Sequence, residues 1–457
     1  MRIEIETLSH DGRGVGRIDG KVAFVAGALP GETVDAVLLR RHRRFDEYRL
    51  VAVAEPAPER VAPPCPLVGR CGGCDLQHLA GDAQLEHKTG VVLDLLRRQA
   101  GLEPAALDEP LRSPPFGYRR RARLAVTVAR RGGTVSVGFR IADDREVIDV
   151  DRCVVLVPVL QPLPGRLEEL VGAFRDPRAL GHLELMVSEA PDGAEHALVH
   201  VHAVRPLVPA DRHALVALAE AERAYLSVRA PDALEWLHRP RAEPPGYRLP
   251  DFGLRLAFEP GDFLQGNGIV NRQLVRRVAD WLGDPGGRSL LDAYCGLGNF
   301  SLPLARRGFA VTGVEVDRAM VARAEANAAA NGIEHARFLA ADLERAERLE
   351  AFAAGGRSHG VDLALLDPPR AGAATLVPAL AARRLATILY VSCAPAALAR
   401  DAAVLAEAGY ALDRLALADM FPQTTHIEAM ALFSLRPRRR RSAERSASRR
   451  RARATGT

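Results

Sequence analysis

From about residue 261 the sequence alternates strictly between helix and strand. Helix "NRQLVRRVADWLG" precedes strand "SLLDAY", a Gly-rich loop and helix "SLPLARRG". Strand "AVTGVEVD" follows, then helix "AMVARAEANAAANG", which Gly332 is expected to end. Strands "ARFLAAD", "VDLALLD" and "TILYVSC" come next, mostly separated by helical segments. Apolar strands alternating with helices imply a parallel, doubly wound α/β sheet. Two late strands, "YALDRLALADM" and "HIEAMALFSL", are expected to close it antiparallel.

Such a sheet binds its ligand in the crevice beyond the carboxyl ends of its strands. Acidic residues recur there: Asp292 at the end of the first strand, Glu315 ending the second, Asp342 the third and Asp367, in "DPPR", the fourth. Helix caps account for one or two such carboxylates but not for the series. The loop "DAYCGLGNFSL" carries glycines that let the backbone turn sharply and approach a ligand closely. Glu315 is placed to bind a ribose diol and Asp342 an adenine amine. Because the third glycine of G-x-G-x-x-G is missing, the pattern favours S-adenosylmethionine over NAD.

Cys393 lies where "LYVSCAPAAL" passes from strand to helix. If its strand neighbours the one ending at Asp367, thiol and carboxylate face one crevice about 5 Å apart in the sheet direction. A packed thiol is the ordinary reading of a lone cysteine. With the crevice signals added, a nucleophile is the better one. A second carboxylate, Glu428, opens the last strand, and Pro395 fixes the first turn of the following helix.

Ahead of this unit, residues 1–54 alternate short strands with glycine turns, as a small β-barrel does. The run "RRHRRFDEYR" gives the barrel a basic, aromatic-containing edge suited to nucleic acid, or simply a solvated loop. Residues 55–260 read as an α+β segment with helical periods at 82–99 and 212–224 and a hairpin around "YRRRARLAVTVARRGGTVSVGFR". Residues 436–457 hold ten Arg against one Glu; setting that +9 aside from the net +5 leaves the body at −4. This tail is expected to be disordered, and it either attracts polyanions or is merely solvated. No apolar run is long enough to span a membrane, and the N-terminus lacks an apolar signal segment. A cytoplasmic location with reduced thiols is therefore expected.

"CPLVGRCGGC" places Cys65, Cys71 and Cys74 within ten residues, and Cys153 follows later. Four thiols in a reducing compartment could hold zinc or an iron–sulfur cluster, and spacing does not choose between them. Cys295, in the Gly-rich loop, reads as a packing residue.

Together "FLQGN", "DAYCGLGNFSLPLA", "DPPRAG", "VSCAP" and "FPQTTHIE" make the chain resemble the RNA (uracil-5-)-methyltransferases over nearly its whole length. The likeness is greatest to the bacterial 23S ribosomal RNA type, with an N-terminal TRAM β-barrel. The resemblance implies a Rossmann-like class I methyltransferase domain over 261–435, a TRAM-like barrel over 1–54 and an α+β central domain over 55–260. It implies a donor site for S-adenosylmethionine made by Gln265, Tyr294, Asn299, Glu315, Asp342 and Asp367. It further implies Cys393 as nucleophile, Glu428 as proton-abstracting base, and a [4Fe–4S] cluster on Cys65, Cys71, Cys74 and Cys153.

RNA is the implied substrate of a monomer with no obligate protein partner; ribosomal RNA is favoured, and a transfer-RNA uridine-5 methyltransferase is the alternative. The family usually has Asn or Asp after the cysteine, where this chain has Ala394, an N-cap position at which Ala costs roughly 0.5–2 kcal/mol. Three other readings compete. A cytosine-5 methyltransferase would more often pair Pro with the cysteine. An amine methyltransferase would usually carry an aromatic where Arg370 follows Pro-Pro. The third is an iron–sulfur RNA-binding protein with a decayed site.

Overall fold

The computed structural model describes residues 1–129, 133–141, 146–230, 233–345 and 361–437. The arginine-rich tail beyond 437, expected to be disordered, lies outside the described residues.

Residues 2–55 close into a five-stranded barrel: β1 (Arg2–Leu8), β2 (Gly14–Ile18), β3 (Lys21–Ala26), β4 (Thr33–Arg41) and β5 (Phe45–Glu55), in the order β1-β2-β3-β5-β4. Alternate residues point inward, so Ile3, Ile5, Ala23, Val25, Val34 and Ala36 fill its centre. The β4–β5 hairpin presents Leu39, Arg40, Arg41, Arg43 and Arg44 to solvent, with His42 stacked on Phe45 at 4.3 Å.

A short edge strand, β6 (Ala106–Leu107), precedes the central sheet. That sheet comprises β7 (Arg121–Val128), β8 (Val135–Arg140), β9 (Val147–Asp149), β10 (Leu180–Glu189), β11 (Glu195–Ala203), β12 (Tyr225–Ala230) and β13 (Ala233–His238). Its order is β13-β12-β11-β10-β7-β8-β9, and β7–β8 form the antiparallel hairpin expected from the sequence. Its apolar residues, Leu124, Leu183, Leu185, Val199, Val201 and Leu226, join one core with Leu163, Leu167 and Val171 of helix Leu163–Gly172. Arg123, His182, Glu184, His200 and His202 occupy the intervening positions and so point to the opposite face.

A ribbon, β14 (Gly246–Leu249) and β15 (Leu254–Ala257), leads into the third sheet. This contains β16 (Ser289–Ala293), β17 (Ala310–Glu315), β18 (Ala336–Ala340), β19 (Leu363–Leu366), β20 (Thr387–Ser392), β21 (Tyr410–Ala418) and β22 (Glu428–Leu435). The order is β18-β17-β16-β19-β20-β22-β21-β6. The first five strands are parallel and β22 runs antiparallel between β20 and β21. The expected doubly wound class and antiparallel closure are both present. Two apolar cores sandwich the sheet.

Helix Gly268–Leu282 shows why the alternation works. Asn267 caps it by accepting from the Val270 N–H at 3.2 Å, and Val270, Leu274, Val275, Val278, Trp281 and Leu282 are all buried.

Residues 81–107 pack where sequence gave no indication. Helix Gly81–Leu95 and the turn after it supply Leu85, Val92 and Leu96 to the core of the methyltransferase-like sheet, against helix Pro395–Glu407. Strand β6 then pairs parallel to β21 as that sheet's edge.

Candidate active site

Strand register assembles the crevice. In β19 and β20, Leu366 pairs with Tyr390, so Asp367, the residue after β19, lies beside Val391. In β20 and β22, Ser392 pairs with Ala429, which brings the next residues, Cys393 and Glu428, opposite one another. Antiparallel partners have Cα atoms about 4.5–5.5 Å apart. Three residues distant in sequence thereby reach one edge of one sheet.

Their electrostatics follow from this crowding. Burial, then the carboxylates of Glu428 and Asp292, push Asp367 well above the usual range. Burial raises Glu428 to about 7. Asp292, fully buried inside β16, is pushed to about 7 by burial, although the Ser301 hydroxyl donates to its Oδ2 at 2.5 Å. Its Oδ1 has no hydrogen-bond partner among the described residues. Cys393 is exposed as a residue. Partial dehydration of its sulfur, then Glu428 and Asp367, raise its thiol, and Arg370 pulls it back down. The crevice is a row of crowded acidic groups with a thiol at one end and one nearby guanidinium.

The Gly-rich loop closes the other end. Gly296 and Gly298 take φ of 55° and 96°, and Tyr294, with no such freedom, is held at 65°. The Tyr294 hydroxyl donates to Glu344 at 2.8 Å, and Asp342 accepts from the Glu344 N–H at 3.0 Å. Asp342 lies two residues beyond β18 rather than ending it, because the strand pairing stops at Ala340. Glu315 does end β17: one carboxylate oxygen accepts from Gly296 N–H at 3.2 Å, the other from Val316 N–H at 2.7 Å.

Asn299 accepts from Tyr247 at 2.9 Å and exchanges two amide bonds of 3.0 Å with Asn271. Gln265 lines a small cavity with the same Tyr247 and Asn271. Sequence reading missed these two linking residues. Asn271 carried a faint signal, four residues after the Asn267 cap on one helix face; Tyr247 carried none.

The helix that follows Cys393 has no side-chain cap. Ala394 has extended dihedrals of −135° and 91°, suited to an N-cap, and no side-chain bond to the helix. Ser392 compensates locally, accepting from Ala394 N–H at 3.2 Å and donating to its carbonyl at 3.1 Å. Asp401, buried in the same helix, accepts from Tyr390 and from the Ala373 N–H and so fixes the loop after "DPPR".

Cys65, Cys71, Cys74 and Cys153 line one cavity of about 920 Å³ together with Arg119, Arg123 and His182. Burial raises the Cys71 and Cys153 thiols and pushes that of Cys74 up to about 12. Among the described residues no three His, Cys, Asp or Glu side chains converge tightly enough to hold a single metal ion. Cys295 is buried in the core under the loop, as expected of a packing residue. No helix among the described residues is long and apolar enough to cross a membrane.

Residues 251–436 match the tRNA (Uracil-5-)-methyltransferase family model, and residues 1–51 the TRAM domain. The chain is 44% identical over 433 residues to the 23S rRNA (uracil(1939)-C(5))-methyltransferase RlmD of Pseudomonas aeruginosa, covering 95% of this chain and 94% of that one. It is 42% identical over 439 residues to the protein of the same name from Shewanella amazonensis, covering 95% and 96%. Among solved structures, Pyrococcus abyssi tRNA (uracil-54, C5)-methyltransferase in complex with S-adenosyl-L-homocysteine superposes with a TM-score of 0.69. That match is at 26% identity and covers 95% of this chain and 100% of that one.

Proposed function

Because the chain belongs to the RNA (uracil-5-)-methyltransferase family, we propose that its substrate is 23S ribosomal RNA and that Cys393 and Glu428 perform the chemistry through a covalent adduct. The coarser activity, S-adenosylmethionine-dependent methylation of uracil carbon 5, follows from the family. The two relatives named for 23S rRNA uracil 1939 support the equivalent uridine as target, at over 40% identity across almost the full chain.

The observation carrying the mechanism is the register that sets Glu428 opposite Cys393 with Asp367 on the adjoining strand. Carbon 5 of uracil is too electron-poor to attack an electrophile directly. Addition of the Cys393 thiolate at carbon 6 converts the ring into an enolate with a nucleophilic carbon 5. S-adenosylmethionine supplies an electrophilic methyl group on a cationic sulfonium centre. Once carbon 5 carries the methyl, Glu428 removes its proton and elimination releases Cys393. A carboxylate raised to about 7 is a stronger base than an ordinary one, which suits that step. Raised carboxyls also spend more time neutral, which reduces their opposition to the thiolate, and Arg370 offsets the remainder. The uridine must leave its stack to enter the crevice.

The donor site fits its ligand in charge. The partnerless buried oxygen of Asp292 and the carboxyl of Asp367 suit a molecule bearing sulfonium and ammonium groups, and Glu315 suits its ribose diol. Gln265, Asn299, Tyr294 and Asp342 would complete its contacts. The four-cysteine cavity offers the thiolate donors that a [4Fe–4S] cluster takes, and the family resemblance favours that cluster over zinc. Cys65, Cys71, Cys74 and Cys153 would hold it. Its role there is to organise the polypeptide, since the methyl transfer uses no electron.

The substrate reading is tested by incubating the purified chain and labelled donor with 23S rRNA fragments and with transfer RNA transcripts. Label is expected in the ribosomal fragment containing the uridine equivalent to 1939. Preferential labelling of transfer RNA would overturn the assignment.

A further inference from the structure

The loop Asp419–Ile427 carries the chain into Glu428 and has little regular structure of its own. It is held almost entirely by residues some 300 or more positions earlier. Lys88, in helix Gly81–Leu95, is 1% exposed and donates to Asp419 at 2.7 Å and to the Phe421 carbonyl at 3.1 Å. The Tyr118 hydroxyl donates to the Pro422 carbonyl at 2.8 Å. The backbone N–H groups of Asp75 and Leu76 both donate to the Gln423 carbonyl, at 2.9 and 3.0 Å. The Asp75 carboxylate accepts from the Thr425 N–H and hydroxyl, each at 3.3 Å.

Gln84 is the hub. Its carbonyl oxygen accepts from the Gln423 N–H at 2.9 Å, and its amide nitrogen donates to Gln423 Oε1 at 3.0 Å and to the carbonyls of Leu76 and Leu79 at 3.0 and 2.7 Å. Both glutamines are buried. Gln423 sits at φ 69°, a region a β-carbon disfavours, so surrounding bonds must hold it there. The barrel adds a third wall: a β-carbon on Gly12, itself at φ 79°, would come within 2.7 Å of the Thr425 methyl.

We propose that Gln84, assisted by Lys88, Tyr118 and Asp75, is a positioning residue that sets the placement of Glu428 by clamping the Gln423 turn. The proposal rests on Glu428 being the base that takes the carbon 5 proton. A clamp of this kind acts on the last chemical step and leaves thiol addition, donor binding and RNA binding largely alone. Because Asp75 directly follows Cys74, the clamp also joins the cysteine-lined cavity to the catalytic strand.

The test uses Gln84→Met, of equal length but without either polar group, and Tyr118→Phe, which deletes only the bond to Pro422. Both are compared with Glu428→Gln in single-turnover reactions on the RNA substrate. For Gln84→Met, a denaturation-resistant, already methylated protein–RNA adduct is expected to accumulate, with release slowed at least tenfold. Adduct formation and the KM for RNA and donor should stay within about twofold. Tyr118→Phe is expected to shift the same ratio in the same direction by about threefold, and it decides the matter if Gln84→Met does not fold. Added to Glu428→Gln, Gln84→Met should cause no further slowing of release. Native release rates in folded variants, or equal losses of adduct formation and release, would overturn the clamp. Failure of Glu428→Gln itself to trap methylated adduct would instead overturn the base assignment, and the clamp with it.

Discussion

Replacing Ala394 separates the stability of the turn after Cys393 from the chemistry proposed for its thiol. The helix that starts after Cys393 begins Ala394-Pro395, and no side chain bonds to its first N–H groups. Pro395 has no N–H, so the unmet donors are those of Ala396 and Ala397, the positions an N-cap side chain serves. Ala394 already has extended dihedrals and is half-buried, so Asn can enter without backbone change. The expected gain is about 1 kcal/mol, within the ~0.5–2 kcal/mol measured for such caps. In a cooperative unit of 150–250 residues that raises the melting temperature by about 2–4 °C. Ala394→Asp should stabilise at least as much, because a carboxylate also favours a helix N-terminus. It adds a third carboxylate beside a thiol that Glu428 and Asp367 already push up. Each further unit of thiol pKa cuts the thiolate fraction about tenfold. Calorimetry together with the rate of adduct formation reads both effects. Asn should stabilise with addition unchanged; Asp should stabilise while slowing addition. An Asn variant no more stable than the native chain would rule out an unmet cap, and an Asp variant adding as fast would rule out control of addition by nearby carboxylates.

Purified without oxygen, the protein is expected to be brown with about four irons per chain. Serine at Cys65, Cys71, Cys74 or Cys153 should bleach it, and stoichiometric zinc without visible absorption would contradict the cluster. Release of methylated RNA should accelerate as pH rises through about 7, where Glu428 ionises, and should be about tenfold slower at pH 6 than on its plateau. Asp292 is raised by burial, so its contribution to stability is full below its unfolded pKa near 4 and lost as pH rises through about 7. The melting temperature of Asp292→Asn relative to the native chain should therefore climb between pH 5 and 8.

The crevice was legible because its residues sit at strand ends within one regular alternation. Glu315, Asp367 and Cys393 follow from the period of the pattern, and β20–β22 pairing needed only the expectation of an antiparallel last strand. The family resemblance supplied roles that spacing alone left open, including the choice of cluster metal. Contacts between distant segments were not legible. Residues 82–99 read only as a helical period, and nothing local shows that Gln84 and Lys88 are buried against a loop more than 300 residues away. Tyr247 joins Asn299 through a hydroxyl that no motif marks. The histidines of β10 and β11 alternate like any half-buried strand, and only register stacks His182 on His202 at 3.8 Å.

In the proposed reaction Cys393 adds to the base and Glu428 afterwards removes the carbon 5 proton. It is tested most directly by denaturing gels and mass spectrometry of Glu428→Gln incubated with RNA and labelled donor, with Cys393→Ala beside it. A stable protein–RNA adduct, already methylated and joined through Cys393, is expected for Glu428→Gln, and neither adduct nor methylated RNA for Cys393→Ala. Rapid turnover by Glu428→Gln, or an adduct formed by Cys393→Ala, would contradict that reaction.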